Sequence, residues 1–207
     1  MKHTSLALAL LATLTCATGP ALAQSAGDFT LGFGIGLIEP RSDNGSLAGG
    51  TLDAEVDSGL RPTFTAEYFI RDDLGIEVLA SLPFLHDINI DGLGQVGTTW
   101  HLPPTVSLQY HFNSAGTISP FLGAGLNYTI FFNEGTRGAL AADKLKLDNS
   151  FGVALHAGFD YKISDHGALR ADVRYIDIDT DVKLNGTKIG TVNIDPVVFG
   201  VAYIHRF

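Results

Sequence analysis

The amino-acid sequence predicts an all-β fold, an eight-stranded antiparallel transmembrane up-and-down β-barrel. Three observations carry that prediction. Eight segments alternate apolar and polar side chains with period two, the mark of a strand with two different faces. The connections between them alternate short and long, the plan of a barrel with tight turns on one rim and loops on the other. The polar faces carry charges that a soluble core does not accept unpaired.

One strict alternation is LPPTVSLQYHF, Leu102 to Phe112. After two prolines, Val106, Leu108, Tyr110 and Phe112 are apolar, and Thr105, Ser107, Gln109 and His111 between them are polar. Taken in order, the predicted strands run over about 28–38, 59–70, 74–86, 98–112, 118–132, 147–163, 168–179 and 191–207. The first sets Phe29, Leu31, Phe33, Ile35 and Leu37 against Thr30 and three glycines. In the sixth, Phe151, Val153, Leu155, Phe159 and Tyr161 alternate with Gly152, His156, Gly158 and Asp160. The links at 71–73, 113–117 and 164–166 are tight polar turns. Those at 39–58, 87–97, 133–146 and 180–190 are long and acidic, and read as mobile loops. Within them, GALAADKLKL (138–147) reads as a short helix over the mouth.

The ends of the chain set the compartment. Lys2, a small apolar run from Leu6 to Ala17 and Ala21-Leu22-Ala23 make a secretory leader, with cleavage after Ala23 and a barrel over 24–207. Thr15 stands before Cys16 where an acylation site wants a smaller residue, which argues against lipidation. Cys16 is the sole cysteine, so the chain beyond the leader has no thiol chemistry. The net charge of −9 repels phosphate and argues against nucleic-acid binding. No apolar run beyond the leader is long enough for a spanning helix, yet mean hydropathy is positive at +0.20. Together these predict the outer membrane of a Gram-negative bacterium and contact with its lipids.

An eight-stranded bore is narrow and largely filled by side chains. Alternation turns Leu79, Pro83, Leu85, Phe131, Val198, Ala202 and Ile204 inward as an apolar lining of the outer half. Glu67, His156, Asp160, Arg170, Asp172 and Arg174 form a charged plug beneath it. Pro62, Pro83, Pro103, Pro104 and Pro196 lie toward the long-loop rim. Lacking the N–H a ladder needs, they are expected to open the wall there, Pro103-Pro104 most of all. A hydrophobic solute would then enter from outside, meet the plug and leave sideways into the membrane.

No G-x-S-x-G or HExxH occurs, and the histidines are scattered over different strands. Ser107 and His111 share a face but stand too far apart for direct contact. The expectation is a protein that is not an enzyme and has no cofactor and no metal. Asp177, Asp179 and Asp181 alternate, without the glycine and terminal Glu of a calcium loop.

The final FGVAYIHRF, with Tyr203 and the terminal Phe207, looks like the signal read by the barrel assembly machinery. With LPPTVSLQYHF, PFLGAGLNYTIFF (120–132) and the Gly-Phe-Gly-Ile-Gly-Leu-Ile-Glu-Pro beginning at Gly32, the chain resembles the OmpW family. The resemblance implies an eight-stranded barrel around a narrow, partly hydrophobic channel. It also implies passive uptake of small hydrophobic molecules, a related branch passing alkanes. The alternatives are a structural barrel whose loops contact host, phage or bacteriocin, and a lipid-modifying enzyme. Oligomeric state is left open.

Overall fold

The computed structural model describes residues 24–90 and 93–207, with every side chain among them but that of Phe84. The predicted leader, 1–23, lies outside the described residues. In chain order the strands are β1 (Phe29–Glu39), β2 (Ser46–Leu47), β3 (Leu52–Glu55), β4 (Gly59–Arg71), β5 (Leu74–Ser81), β6 (Phe84–Ile90), β7 (Gly94–Leu102) and β8 (Thr105–His111). They continue with β9 (Ile118–Thr136), β10 (Leu145–Leu147), β11 (Ser150–Lys162), β12 (Gly167–Ile176), β13 (Asp179–Leu184), β14 (Thr187–Asn193) and β15 (Val197–Arg206).

Eight of these close the membrane wall in the circular order β1-β4-β5-β8-β9-β11-β12-β15, each neighbour antiparallel. Along β1 and β11 exposed and buried side chains alternate, as the sequence pattern requires. The exposed set is apolar: Phe33 is 60% and Phe151 68% exposed. Such stripes continue round the barrel, far beyond the few hundred Å² of apolar patch that a soluble monomer tolerates. They are the lipid face. Tyr203 and Phe207 lie on it, with the Phe207 ring 6.1 Å from that of Phe29. The three short turns fall where predicted, and Asp73 takes the left-handed conformation, φ 65°, that closes the β4–β5 turn.

The long connections differ from expectation. They are not loose loops but a crown of short strands in the order β10-β13-β14-β2-β3-β6-β7-β9. The cause is their own period-two pattern. Leu145 and Leu147, Ile178 and Val182, and Val192 and Ile194 turn inward and form one apolar cluster with Leu47, Ile90, Val96 and Phe131. GALAADKLKL accordingly gives only a 3₁₀ turn, Gly138–Leu140, before its last residues join β10. β9 is long because its lower half pairs with β8 and β11 in the wall while its upper end pairs with β7 in the crown. Between β9 and β10 side chains replace a ladder. Glu134 Oε1 accepts the Leu147 N–H at 3.3 Å, and Asn149 Oδ1 accepts the Phe131 N–H at 3.1 Å.

Two predicted strands are interrupted by proline. The segment 74–86 breaks at Leu82-Pro83 into β5 and β6, and 98–112 breaks at Pro103-Pro104 into β7 and β8. The first break slips the alternation by one residue. Leu85, expected inward, therefore points out at 43% exposure beside Trp100, while His86 turns in.

Candidate functional site

The plug is assembled from every second residue of the strands that carry polar faces. Arg170 on β12 is its hub. Its Nε and Nη2 donate to Asp160 Oδ1 and Oδ2 at 2.7 and 2.9 Å, a bidentate pair, and its Nη1 donates to Glu77 Oε2 at 2.7 Å. Arg174 Nη2 donates to the other Glu77 oxygen at 2.7 Å, and Asp172 lies 3.9 Å from Arg174. Gln109 Nε2 donates to Glu67 Oε2 at 2.9 Å, and His111 Nε2 meets Glu67 Oε1 at 3.1 Å. The rings of Phe69 and Phe121 each stand 5.4 Å from His111, and the Arg170 guanidinium lies 4.5 Å over Phe121. Glu67, Glu77, Asp160, Arg170 and Arg174 are all 5% exposed or less. Charges this dry persist only because each has partners of opposite sign and satisfied lone pairs.

The structure brings Glu67, Asp160, Arg170, Asp172 and Arg174 together at this level. His156 faces Arg174 across the β11–β12 register. Sequence reasoning left Glu77, Gln109, His111, Phe69 and Phe121 out of the plug, although Gln109 and His111 alternate on its face in the quoted LPPTVSLQYHF. It also missed a Ser-His-Glu order, since Ser119 Oγ lies 3.4 Å from His111 Nδ1. That His ring is fully buried and flanked by two phenylalanines, and Ser119 lines the polar recess at the periplasmic mouth.

Above the plug lies an apolar chamber inside the crown. Its wall includes Leu47, Ile90, Val96, Leu147, Val182 and Ile194, with His86, His101 and Phe131 at its lower side. The two imidazoles stack at 4.8 Å, and His101 meets the Phe131 ring at 5.7 Å. The enclosed volume is about 60 Å³. A cavity of ~150 Å³ holds a benzene, so a hydrocarbon has to spread these side chains to enter.

Of the predicted apolar lining, Phe131 and Val198 meet this cluster. Ala202 stands level with Arg170, and Ile204 beneath it in a polar recess at the periplasmic mouth with Thr30 and Lys162. Leu79 is half-buried between Thr65 and Thr105, and Pro83 is exposed at the wall. Alternation fixed which way Leu79, Phe131, Val198, Ala202 and Ile204 face but not their height, and it misplaced Pro83, as it did Leu85, because the strand is broken at Leu82-Pro83. The chamber is lined chiefly by the crown, where no strands were expected.

The wall itself opens, but not at Pro103-Pro104 on the β9 side. There the Asn127 amide lies 3.2 and 3.1 Å from the Pro103 and Pro104 carbonyls, and the Tyr128 N–H donates to Pro104 at 3.1 Å. Pro196 is likewise stitched, its carbonyl accepting the Ile176 N–H at 3.2 Å. The interrupted register lies between β4 and β6. β4 leaves β5 at Thr63↔Ser81, and β6 regains a partner on that edge only where β3 meets Asn89 and Ile90. The strand register is interrupted between 59–62 and 84–88, with Pro62 and Pro83 at the lower corner. Leu60, Leu82 and Leu85 rim the opening at 55, 51 and 43% exposure, and His86 and Val56 of the chamber lie directly behind it.

Among the described residues one acidic trio has carboxylate oxygens within reach of a single cation, Asp177, Asp179 and Asp195 on the crown. Arg41 already answers it, with Nη1 donating to Asp195 Oδ2 at 3.1 Å.

A closed wall with lipid-facing stripes, a dry charged plug and an apolar antechamber define a narrow eight-stranded outer-membrane barrel. The comparisons with known proteins agree. The OmpW family model matches residues 25–207, and the chain belongs to the OmpW family. It is 38% identical to outer membrane protein W of Vibrio cholerae serotype O1, each covered over its full length. The crystal structure of the outer membrane protein OprG from Pseudomonas aeruginosa superposes with a TM-score of 0.78 at 30% identity. The match covers 89% of this chain and 98% of that one. A more distant relative, 26% identical over 78% of this chain and 77% of its own length, is the dibenzothiophene metabolism operon protein PahQ of Pseudomonas aeruginosa. The protein resides in the outer membrane of a Gram-negative bacterium.

Proposed function

We propose that this protein is a passive channel, not an enzyme, that takes small hydrophobic molecules from outside the cell into the crown chamber and releases them sideways into the membrane. The observation that carries this reading is the adjacency of three features: an apolar chamber, a sealed plug under it, and a stretch of wall with interrupted register and leucines at its rim. Forward passage would drag an apolar molecule past four carboxylates and two guanidiniums, and desolvating such groups costs several kcal/mol each. The sideways route passes Leu60, Leu82 and Leu85 at the rim, with Arg61 and Asp57 close enough to act on His86 behind it, and ends in hydrocarbon. PahQ, whose name links it to the metabolism of an aromatic sulfur heterocycle, points the same way. Outer-membrane lipids are the surroundings, the barrel assembly machinery reads the terminal Tyr203 and Phe207, and a leader of residues 1–23 directs export.

The test is uptake of a hydrocarbon by cells whose own outer-membrane channels for it are deleted. Val182→Asp places a carboxylate in the chamber and is expected to reduce uptake to the level of cells without the protein, with barrel yield unchanged. Pro83→Ala restores a backbone donor at the opening and is expected to slow uptake without stopping it. Uptake that ignores both substitutions would favour a surface-interaction barrel instead.

A further inference from the structure

Just above the Glu77–Arg174 pair the bore carries buried polar atoms that bind nothing. His156 is 4% exposed, and neither of its ring nitrogens has a hydrogen-bond partner. Arg174, also 4% exposed, gives Nη2 to Glu77 and leaves Nη1 unpartnered. Gln109 Oε1 and Ser107 Oγ are unpartnered as well. Register places His156, Arg174 and Gln109 round one level, with Ser107 one step higher, beside the partner of Ala154. His156 pairs across to Arg174 on one side and Gly123 on the other, Gly123 faces Gln109, and Gly125 faces Ser107. Both glycines are required for close approach. A Cβ at Gly123 would lie 1.9 Å from His156 Nε2, and one at Gly125 2.4 Å from Ser107 Oγ.

Two residues further along the same strands, about 7 Å, Ala154 and Ile176 pair with each other and belong to the apolar cluster of the chamber. The apolar column therefore stands on a floor of unsatisfied donors and acceptors. Folded proteins rarely leave such groups without a partner.

Charge decides what fits. Glu67, Glu77, Asp160 and Asp172 face the Arg170 and Arg174 guanidiniums and the His111 imidazole, so carboxylates outnumber cations in the plug. A carboxylate head would add to that surplus, and an ammonium head would meet the Arg174 guanidinium. A neutral head with an oxygen atom does neither. It accepts from Arg174 Nη1, and a hydroxyl also exchanges a hydrogen bond with His156. We propose that this floor is a head-group subsite that selects neutral amphiphiles, alcohols or ketones on a short hydrocarbon tail, over plain hydrocarbons. This rests on the channel reading above, and specifies its solute.

The test uses the full barrel in lipid nanodiscs, with ¹⁵N-labelled histidine and labelled Ile and Val methyl groups. The probes are 1-octanol, 2-octanone, octanoate and octane. Octanol and octanone are expected to move the His156 ring signals, while octane moves the Val182 and Ile194 methyls alone and octanoate binds more weakly than octanol. His156→Phe, an aromatic of similar size, should weaken octanol two- to tenfold, the worth of one neutral hydrogen bond, and leave octane unchanged. If octane and octanol act alike on His156, or octanol ignores His156→Phe, the floor holds ordered water only and the subsite falls while the channel stands. If octanoate binds as well as octanol, the charge argument and the proposal fail. If no probe moves a chamber methyl, the channel reading falls and takes the subsite with it.

Discussion

Below the level of His156 the bore is polar, dry and almost fully bonded, with Arg170 giving hydrogen bonds to two carboxylates and stacking on Phe121. Above it, within one strand length, the lining turns aliphatic, and complete ladders give way to two-residue pairings and side-chain bridges. The same wall serves both regions, so the difference lies in how each is closed. The lower region is shut by directional bonds between charges, which leave no alternative packing. The upper region is held by apolar contacts without direction and by strands that end at prolines, and side chains there can part for a solute.

The strongest challenge to this contrast is Arg170→Ala. It strands Asp160 and half of Glu77 in a dry bore, and breaking a buried pair from one side costs about 3–5 kcal/mol. Unfolding by urea in lipid vesicles is expected to show that loss, with ion conductance rising as the plug loosens. A loss below 1 kcal/mol would mean water already reaches these groups.

A smaller effect is expected at the boundary. Asn127→Ala removes the amide that serves the Pro103 and Pro104 carbonyls, leaving Pro104 to the Tyr128 N–H and Pro103 to a long contact with the Thr105 hydroxyl. A buried acceptor left unmade costs about 1–3 kcal/mol. Faster hydrogen exchange at Tyr128 and Thr129 is expected, with the lower barrel unaffected. Exchange rising throughout the wall would show that the two regions are not separate units.

The smallest effect is on the crown. Partial burial, then the neighbouring Asp195 and Asp177 carboxylates, push the Asp179 carboxyl above its ordinary range, against the pull of Arg41. A raised carboxyl opposes folding once ionised, so the penalty is present at neutral pH and relieved as pH falls through the carboxylate range. Asp179→Asn is expected to raise the thermal midpoint slightly at pH 7, the gap from the parent closing near pH 4. A gap of the same size at both values would assign the effect to packing.

Much of this was legible in the residues. Period-two alternation over Phe29 to Leu37 and Phe151 to Tyr161 gave the lipid face, because a strand has only two sides. The plug's ions were legible because Asp160, Arg170, Asp172 and Arg174 sit on the same parity as the inward glycines. Leu85 was misplaced because alternation propagates only along an unbroken strand, and Leu82-Pro83 breaks it. The chamber lining was missed because Leu145, Ile178 and Val192 lie in short runs between turn residues, where two or three alternations carry little signal.

Local pattern, then, determined by itself that this chain crosses a membrane as a barrel, which side of each strand meets lipid, and which charges must lie inside. Only the tertiary structure decided the height of each residue in the bore, the pairing that shuts the wall at Asn127 and the place where the register between β4 and β6 is interrupted. Facing is set by one strand's own pleat, whereas height and closure depend on the register between strands distant in the chain.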